Sequence, residues 1–168
     1  ISIFKFLIKL YERILLVINM NISKIKGLRE ELDLNQKQVA EALGLDNTLY
    51  NKYENNYNTI PLIHLNNLCN LFNISIDYIL SLNTIKQYNN SQKIVDNMIC
   101  GKRLKEFRKE KKLTQTKLAE ILNTTHSVIA DYERGRYLIS TSFLYAICKK
   151  YNISADYLLG KTDYPKLL

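Results

Sequence analysis

The sequence predicts an all-α protein: two tandem five-helix domains joined by a short polar linker and preceded by an apolar N-terminal helix. Three observations lead there. Glycine and proline are scarce, five and two in 168 residues, too few for the turns of an all-β fold. Apolar residues recur at helical spacing, with Ser, Thr, Asn or Asp where helices would begin. Residues 22–81 also align without a gap on residues 101–160 at a constant offset of 79, so one small unit is written twice. The implied boundaries are 1–20 for the N-terminal helix, 21–82 and 98–162 for the two domains, 83–97 for the linker and 163–168 for a tail.

Composition narrows the function. Hydrophobic residues make up 46% and charged residues 24%, a globular balance. The formal charge of +8 points to a polyanion, either nucleic acid or an anionic membrane surface, although basic residues also serve solubility alone. Cys69, Cys100 and Cys148 form no closely spaced pair, and His64 and His126 stand apart from them. That is not zinc-ligand spacing, so no metal or cofactor is expected. Isolated cysteines suit a reducing cytoplasm. With no phosphate loop, no nucleophile motif and no companion for either histidine, the chain is not expected to be an enzyme.

The elements follow in order. In "ISIFKFLIKLYERILLVINM", residues 1–20, Lys5, Lys9, Glu12 and Arg13 interrupt the apolar run, which stays short of the ~20 residues that a membrane span needs. It also lacks the small residues of a signal-peptide cleavage site. An amphipathic helix fits, with Phe4, Leu7, Ile8, Tyr11, Leu15 and Ile18 near one stripe. Met20, just ahead of the first repeat, is an expected natural start of translation, which would make residues 1–19 an upstream extension.

In the second copy Leu104, Phe107 and Leu113 form the stripe and exit of a first helix. Thr114 caps a second helix from Gln115 to about Leu122. Asn123 makes a left-handed turn, the role of Gly44 in the first copy. Thr125, matching Asp46, caps a third helix that stops near Gly135. A fourth covers about 141–150 and a fifth, capped by Ser154, about 155–160. Pro61 opens the fourth helix of the first copy, where a missing N–H costs nothing.

The second and third helices form a helix-turn-helix if they share a core, here Leu118, Ala119, Leu122, Ile129 and Tyr132. The small Ala119 lets them approach closely, as it would in an ordinary helical hairpin. With Ile129 and Tyr132 inward, His126, Ser127, Ala130 and Asp131 are expected to face outward. Their counterparts are Asn47, Thr48, Asn51 and Lys52. Short donor–acceptor side chains on a narrow element suit base-edge readout; a solvated helix face is equally polar.

The stretch "RLKEFRKEKKLTQTKLAEILNTTHSVIADYERG" (103–135), followed by "YNISADYLLG", resembles the lambda-repressor-like, Cro-type helix-turn-helix family. So does "KIKGLREELDLNQKQVAEALGLDNTLYNKYENN" followed by "FNISIDYIL". The resemblance covers about 120 of the 168 residues and implies five-helix domains whose third helix enters the DNA major groove. It implies that Gln36 and Gln115 hold the DNA backbone, with Lys117, Arg134 and Arg136 as phosphate contacts. It further implies salt bridges from Arg29 to Glu54 and from Arg108 to Glu133, joining the first and third helices. Cys69 and Cys148 fall at equivalent fourth-helix core positions, where packing is the expected role.

The copies are unequal. Residues 101–160 carry twelve Lys/Arg against six Asp/Glu, a net +6, and residues 22–81 five against seven, a net −2. Arg134-Gly135 is replaced by Asn55-Asn56 in the first copy, which keeps the turn and loses a phosphate contact. Asp131 puts a carboxylate on the reading face, where the first copy has Lys52. Non-specific affinity is therefore expected mostly from the second copy. The Asn-rich "NTIKQYNNSQ" (83–92) reads as a flexible linker spanning typically ~17–19 Å. It would let one chain occupy two half-sites ~34–36 Å apart, unless "KIVDNMIC" becomes helical. The expected function is a sequence-specific DNA-binding transcriptional regulator, with a protein-interaction module or antitoxin as the alternative. Double-stranded DNA is the expected partner, leaving room for a homodimer or a partner protein. No small-molecule domain is visible, and membrane binding is not expected.

Overall fold

The computed structural model describes residues 24–89, 91 and 93–166. The apolar helix expected at 1–20 and the start expected at Met20 lie outside them. The first copy forms α1 (Lys24–Glu31), α2 (Gln36–Ala42), α3 (Asn47–Glu54), α4 (Leu62–Leu71) and α5 (Ile76–Ile79). The second forms α6 (Asn97–Glu110), α7 (Gln115–Ile121), α8 (His126–Glu133), α9 (Thr141–Tyr151) and α10 (Ala155–Leu158). Apart from one isolated bridge between Ile153 and Lys166, the described residues are helical or irregular, and no helix among them is long and apolar enough to cross a membrane.

Local chemistry sets the helix starts. Thr114 accepts the Lys117 N–H at 3.0 Å, and Asp46 accepts the Thr48 N–H at 2.8 Å. Asn35 and Gln38 form a reciprocal capping box on α2. Ser75 and Ser154 accept from Tyr78 and Tyr157 to open α5 and α10. Thr125 occupies the start of α8 in extended conformation but makes no side-chain cap bond, so α8 begins less firmly than α3. Gly44 and Asn123 turn the chain between second and third helices at φ 67° and 52°. Asn56 replaces Gly135 after the third helix at φ 58°, as a residue tolerant of left-handed backbone can.

Burial joins rather than separates the copies. One apolar cluster runs from Ile25 and Tyr50 through Ile76 and Leu80 to Leu144 and Leu158. Within the second copy α6 crosses the end of α8 so closely that a Cβ on Gly101 would run into the carbonyl oxygens of Tyr132 and Glu133.

The linker differs from the flexible chain that its composition suggests. Ser75 Oγ donates to the Ile85 carbonyl at 2.9 Å, and Tyr88 donates to Asp77 at 2.7 Å. Asn66 and Asn70 both donate to the Lys93 carbonyl, at 3.0 and 2.8 Å. Ser75 and Asp77 belong to the one-turn α5, whose polar groups the returning strap pairs, and Asn66 and Asn70 on α4 hold the far end of the strap. The strap is itself repeated, because the Ser75 N–H donates to the Lys86 carbonyl and the Ser154 N–H to the Pro165 carbonyl. The duplication therefore continues in structure past residue 160. The end of "KIVDNMIC" turns helical, with Asp96 capping α6 by accepting from Ile99.

Candidate nucleic-acid interface

The site is built outward from two buried ion pairs. Arg29 grips Glu54 with two hydrogen bonds, Nε to Oε2 at 2.9 Å and Nη2 to Oε1 at 2.8 Å, and its Nη1 donates to the Leu34 carbonyl at 2.7 Å. Arg108 repeats this on Glu133, with Nη2 to Oε2 at 2.8 Å and Nη1 to the Leu113 carbonyl at 2.8 Å. Each arginine thus ties the exit of the first helix to the end of the third. Burial alone would raise the Glu54 carboxyl; hydrogen bonds from Arg29 and Gln36 outweigh it and hold Glu54 below its ordinary range. The same pairing raises Arg29 and Arg108.

Gln36 and Gln115 complete these clusters. Gln36 donates to Glu54 at 3.2 Å, and Gln115 donates to Glu133 at 2.8 Å. Their amide groups therefore point at the glutamates, and both residues are half-buried. Gln36 also accepts from Asn51 at 3.0 Å, linking α2 to α3.

On the outer face of the third helices, Asn47, Thr48 and Lys52 are exposed on α3, and His126 and Ser127 on α8. Asn51 is half-buried and engaged by Gln36. Ala130 corrects the expectation: it is only 4% exposed and does not face outward. Its counterpart Asn51 is turned to α2, so this position faces the crevice between second and third helices, which helical periodicity drawn from Ile129 and Tyr132 alone does not resolve. Asp131 is half-buried. Its Oδ1 accepts from Arg136 at 2.9 Å and lies 3.8 Å from the Arg134 guanidinium. Both arginine side chains remain well exposed, 63% for Arg134 and 60% for Arg136. Lys117 is exposed and paired with Glu120 at 2.9 Å. The surface thus offers short amide, hydroxyl and imidazole groups along α3 and α8, with guanidinium groups just beyond α8.

Sequence reasoning missed a second pair of fasteners. Lys24 Nζ donates to the Tyr78 carbonyl at 2.8 Å and sits 4.1 Å from the centre of its ring. Arg103 Nη1 donates to the Tyr157 carbonyl at 2.7 Å, with the guanidinium 4.6 Å from that ring. They pin each first helix to the end of its fifth. The signal was present, since both residue pairs are related by the same offset. His64 is a partner of Tyr53, at 3.1 Å from Nδ1 to the hydroxyl.

Comparison with known proteins agrees with this geometry. The Helix-turn-helix family model matches twice, over residues 25–79 and again over 104–158. The chain is 42% identical over 69 residues to the HTH-type transcriptional regulator ImmR of Bacillus subtilis, covering 41% of this chain and 54% of that protein. It is 44% identical over 64 residues to the immunity repressor protein of Bacillus phage phi105, covering 38% of this chain and 44% of the repressor. A 63-residue match at 34% identity links it to the antitoxin PezA of Streptococcus pneumoniae, covering 38% of this chain and 40% of that one. The chain spans about half the length of the first two relatives. The doubled match, over two bundles of identical helix order, leads to one conclusion: the chain belongs to the lambda-repressor-like helix-turn-helix family of the Cro/C1 type and carries its domain in two tandem copies.

Proposed function

We propose that the protein is a sequence-specific DNA-binding transcriptional regulator that lays α3 and α8 in the major groove. The observation that carries this reading is a short helix in each copy with one side in the core and a polar N-terminal end in solvent. Each is held at its far end by a buried Arg–Glu pair. Asn47, Thr48, His126 and Ser127 are of a size and polarity to reach base edges. Arg134 and Arg136 supply phosphate contacts, as does Lys117, with Lys52 a weaker contributor. Asn51 and the two glutamines act by orienting the reading helices from behind. The names of ImmR and the phage repressor point the same way.

The test is a fluorescence titration of the full chain against duplex DNA at several salt concentrations. Affinity should fall steeply with salt, by a log–log slope of roughly 0.9 per phosphate neutralised. Replacing Arg134 and Arg136 together by Ala should weaken binding more than Lys52→Ala does. Salt-independent affinity, or equal losses, would count against the assignment.

A second reading, a protein-interaction or antitoxin module, draws on the match to PezA and on Ile94, Met98 and Ile99, which stand exposed around the start of α6. Met98 packs beside Gly135, between the two arginines, whereas Ile94 precedes α6 and Ile99 packs against Gly160. Polar substitution of Ile94, which stands 83% exposed ahead of α6, should leave DNA affinity intact while abolishing capture of a partner protein.

A further inference from the structure

Two reading domains on one chain can sit on DNA in two ways. Related by a translation along the duplex, they read a direct repeat; related by a two-fold axis, they read an inverted one. The contacts between the copies distinguish these cases, because a two-fold arrangement repeats every contact with the roles of the copies exchanged. Asp77 Oδ1 accepts from the Ala155 N–H at 2.6 Å, at the first turn of the second copy's fifth helix. Asp156 Oδ2 in turn accepts from the Asp77 N–H at 2.8 Å, in the first turn of the first copy's fifth helix. Each aspartate therefore caps the fifth helix of the other copy. A groove alongside is lined by residues 59–63 from one copy and the matching 138–141 from the other. A translation would have brought unlike faces together.

This face is closed within the chain. Asp77 and Asp156 are both 0% exposed. Additional bonds, made in one direction only, lock the arrangement. Lys161 is buried and donates to Asn66 at 2.6 Å and Asn70 at 3.2 Å, whereas its counterpart Leu82 has no donor to offer. Thr141 donates to the Ile60 carbonyl at 2.6 Å, and its counterpart is Leu62. The reading faces meanwhile differ, with Asn47, Thr48 and Lys52 on one and His126, Ser127 and Asp131 on the other.

We infer that the protein is a single-chain pseudo-dimer whose target is an inverted pair of two unlike half-sites at one fixed spacing, bound by one chain per duplex. The inference rests on the DNA reading proposed above and adds the orientation, asymmetry and stoichiometry of the target. Because the two readers are already joined, the second half-site is engaged from the same chain, without the entropy of bringing two chains together.

The experiment is selection of bound sequences from random duplexes with the full chain. Sedimentation of the selected complex follows, then titration of duplexes in which one half-motif is reversed in place or moved by half a helical turn. The expected result is two different half-motifs in inverted order, one chain per duplex. Reversal or displacement should weaken binding about 100-fold or more, towards that of a single half-site. Equal binding to the reversed or displaced duplex overturns the inference, as do identical half-motifs carrying two chains, while leaving DNA binding in place. Failure to enrich any sequence overturns the sequence-specific reading itself, and the inference with it.

Discussion

Asp131 holds Arg136 at 2.9 Å and stands 3.8 Å from Arg134, so the two cations proposed above to meet phosphates already face a carboxylate. On that reading the carboxylate stands where a phosphate oxygen would, and it would repel the DNA backbone. Asp131→Asn should therefore raise affinity for non-specific duplex and steepen the salt slope by about 0.9 for each further phosphate neutralised. Titration at several salt concentrations checks it, and an unchanged slope would sink it. A different outcome belongs to the buried pairs. The side chains of Arg29 and Glu54 are 11% and 2% exposed, so Arg29→Ala strands a buried carboxylate and should lose about 3–5 kcal/mol in urea unfolding. The same loss is expected for Arg108→Ala. These pairs were expected from the family resemblance, which both copies carry with the arginine and the glutamate 25 residues apart. Ala130 was not legible, since helical periodicity gives the direction of a side chain and not the height of the neighbouring helix.

The fifth helices are single turns, and single turns do not stand alone. Each is held by the other copy's aspartate. Burial, then the neighbouring charge of Asp77, pushes the Asp156 carboxyl up to about 7. Burial also raises Asp77. Around them lie Tyr88, Ser154, Lys161 and the two cysteines. A raised carboxyl binds more protons folded than unfolded, so stability falls as pH climbs from the unfolded pKa near ~4 through about 7. Melting temperature should accordingly decline between pH 5 and 8, and Asp156→Asn should flatten that decline; an equally steep decline in the variant would refute the assignment. Glu54 acts in the opposite sense and elsewhere on the scale. Its carboxyl is lowered, so its stabilisation is present above the unfolded value of ~4.3 and is lost only under strong acid. The two effects can be separated by the pH at which they appear.

At the scale of the molecule, a shared apolar cluster and exchanged caps make the two copies one cooperative unit. Calorimetry should show a single transition whose calorimetric and van't Hoff enthalpies agree. Asp77→Ala, which leaves Ser154, Tyr88 and the Ala155 N–H without their acceptor, should broaden or split that transition. A sharp single transition in the variant would show that the caps do not couple the copies.

The helices, their caps and turns and the doubling could be read along the chain, because they depend on residues a few positions apart or on a pattern repeated at one offset, and the ion pairs followed from the family resemblance. How the copies meet could not be read that way and emerged from packing in three dimensions. In the sequence Asp77 and Asp156 look like ordinary first-turn residues of a fifth helix, and residues 83–92 like a loose tether. Neither shows its partner within its own stretch of chain. A buried carboxylate takes whichever N–H groups folding brings to it, and the way the two copies face each other follows from that choice.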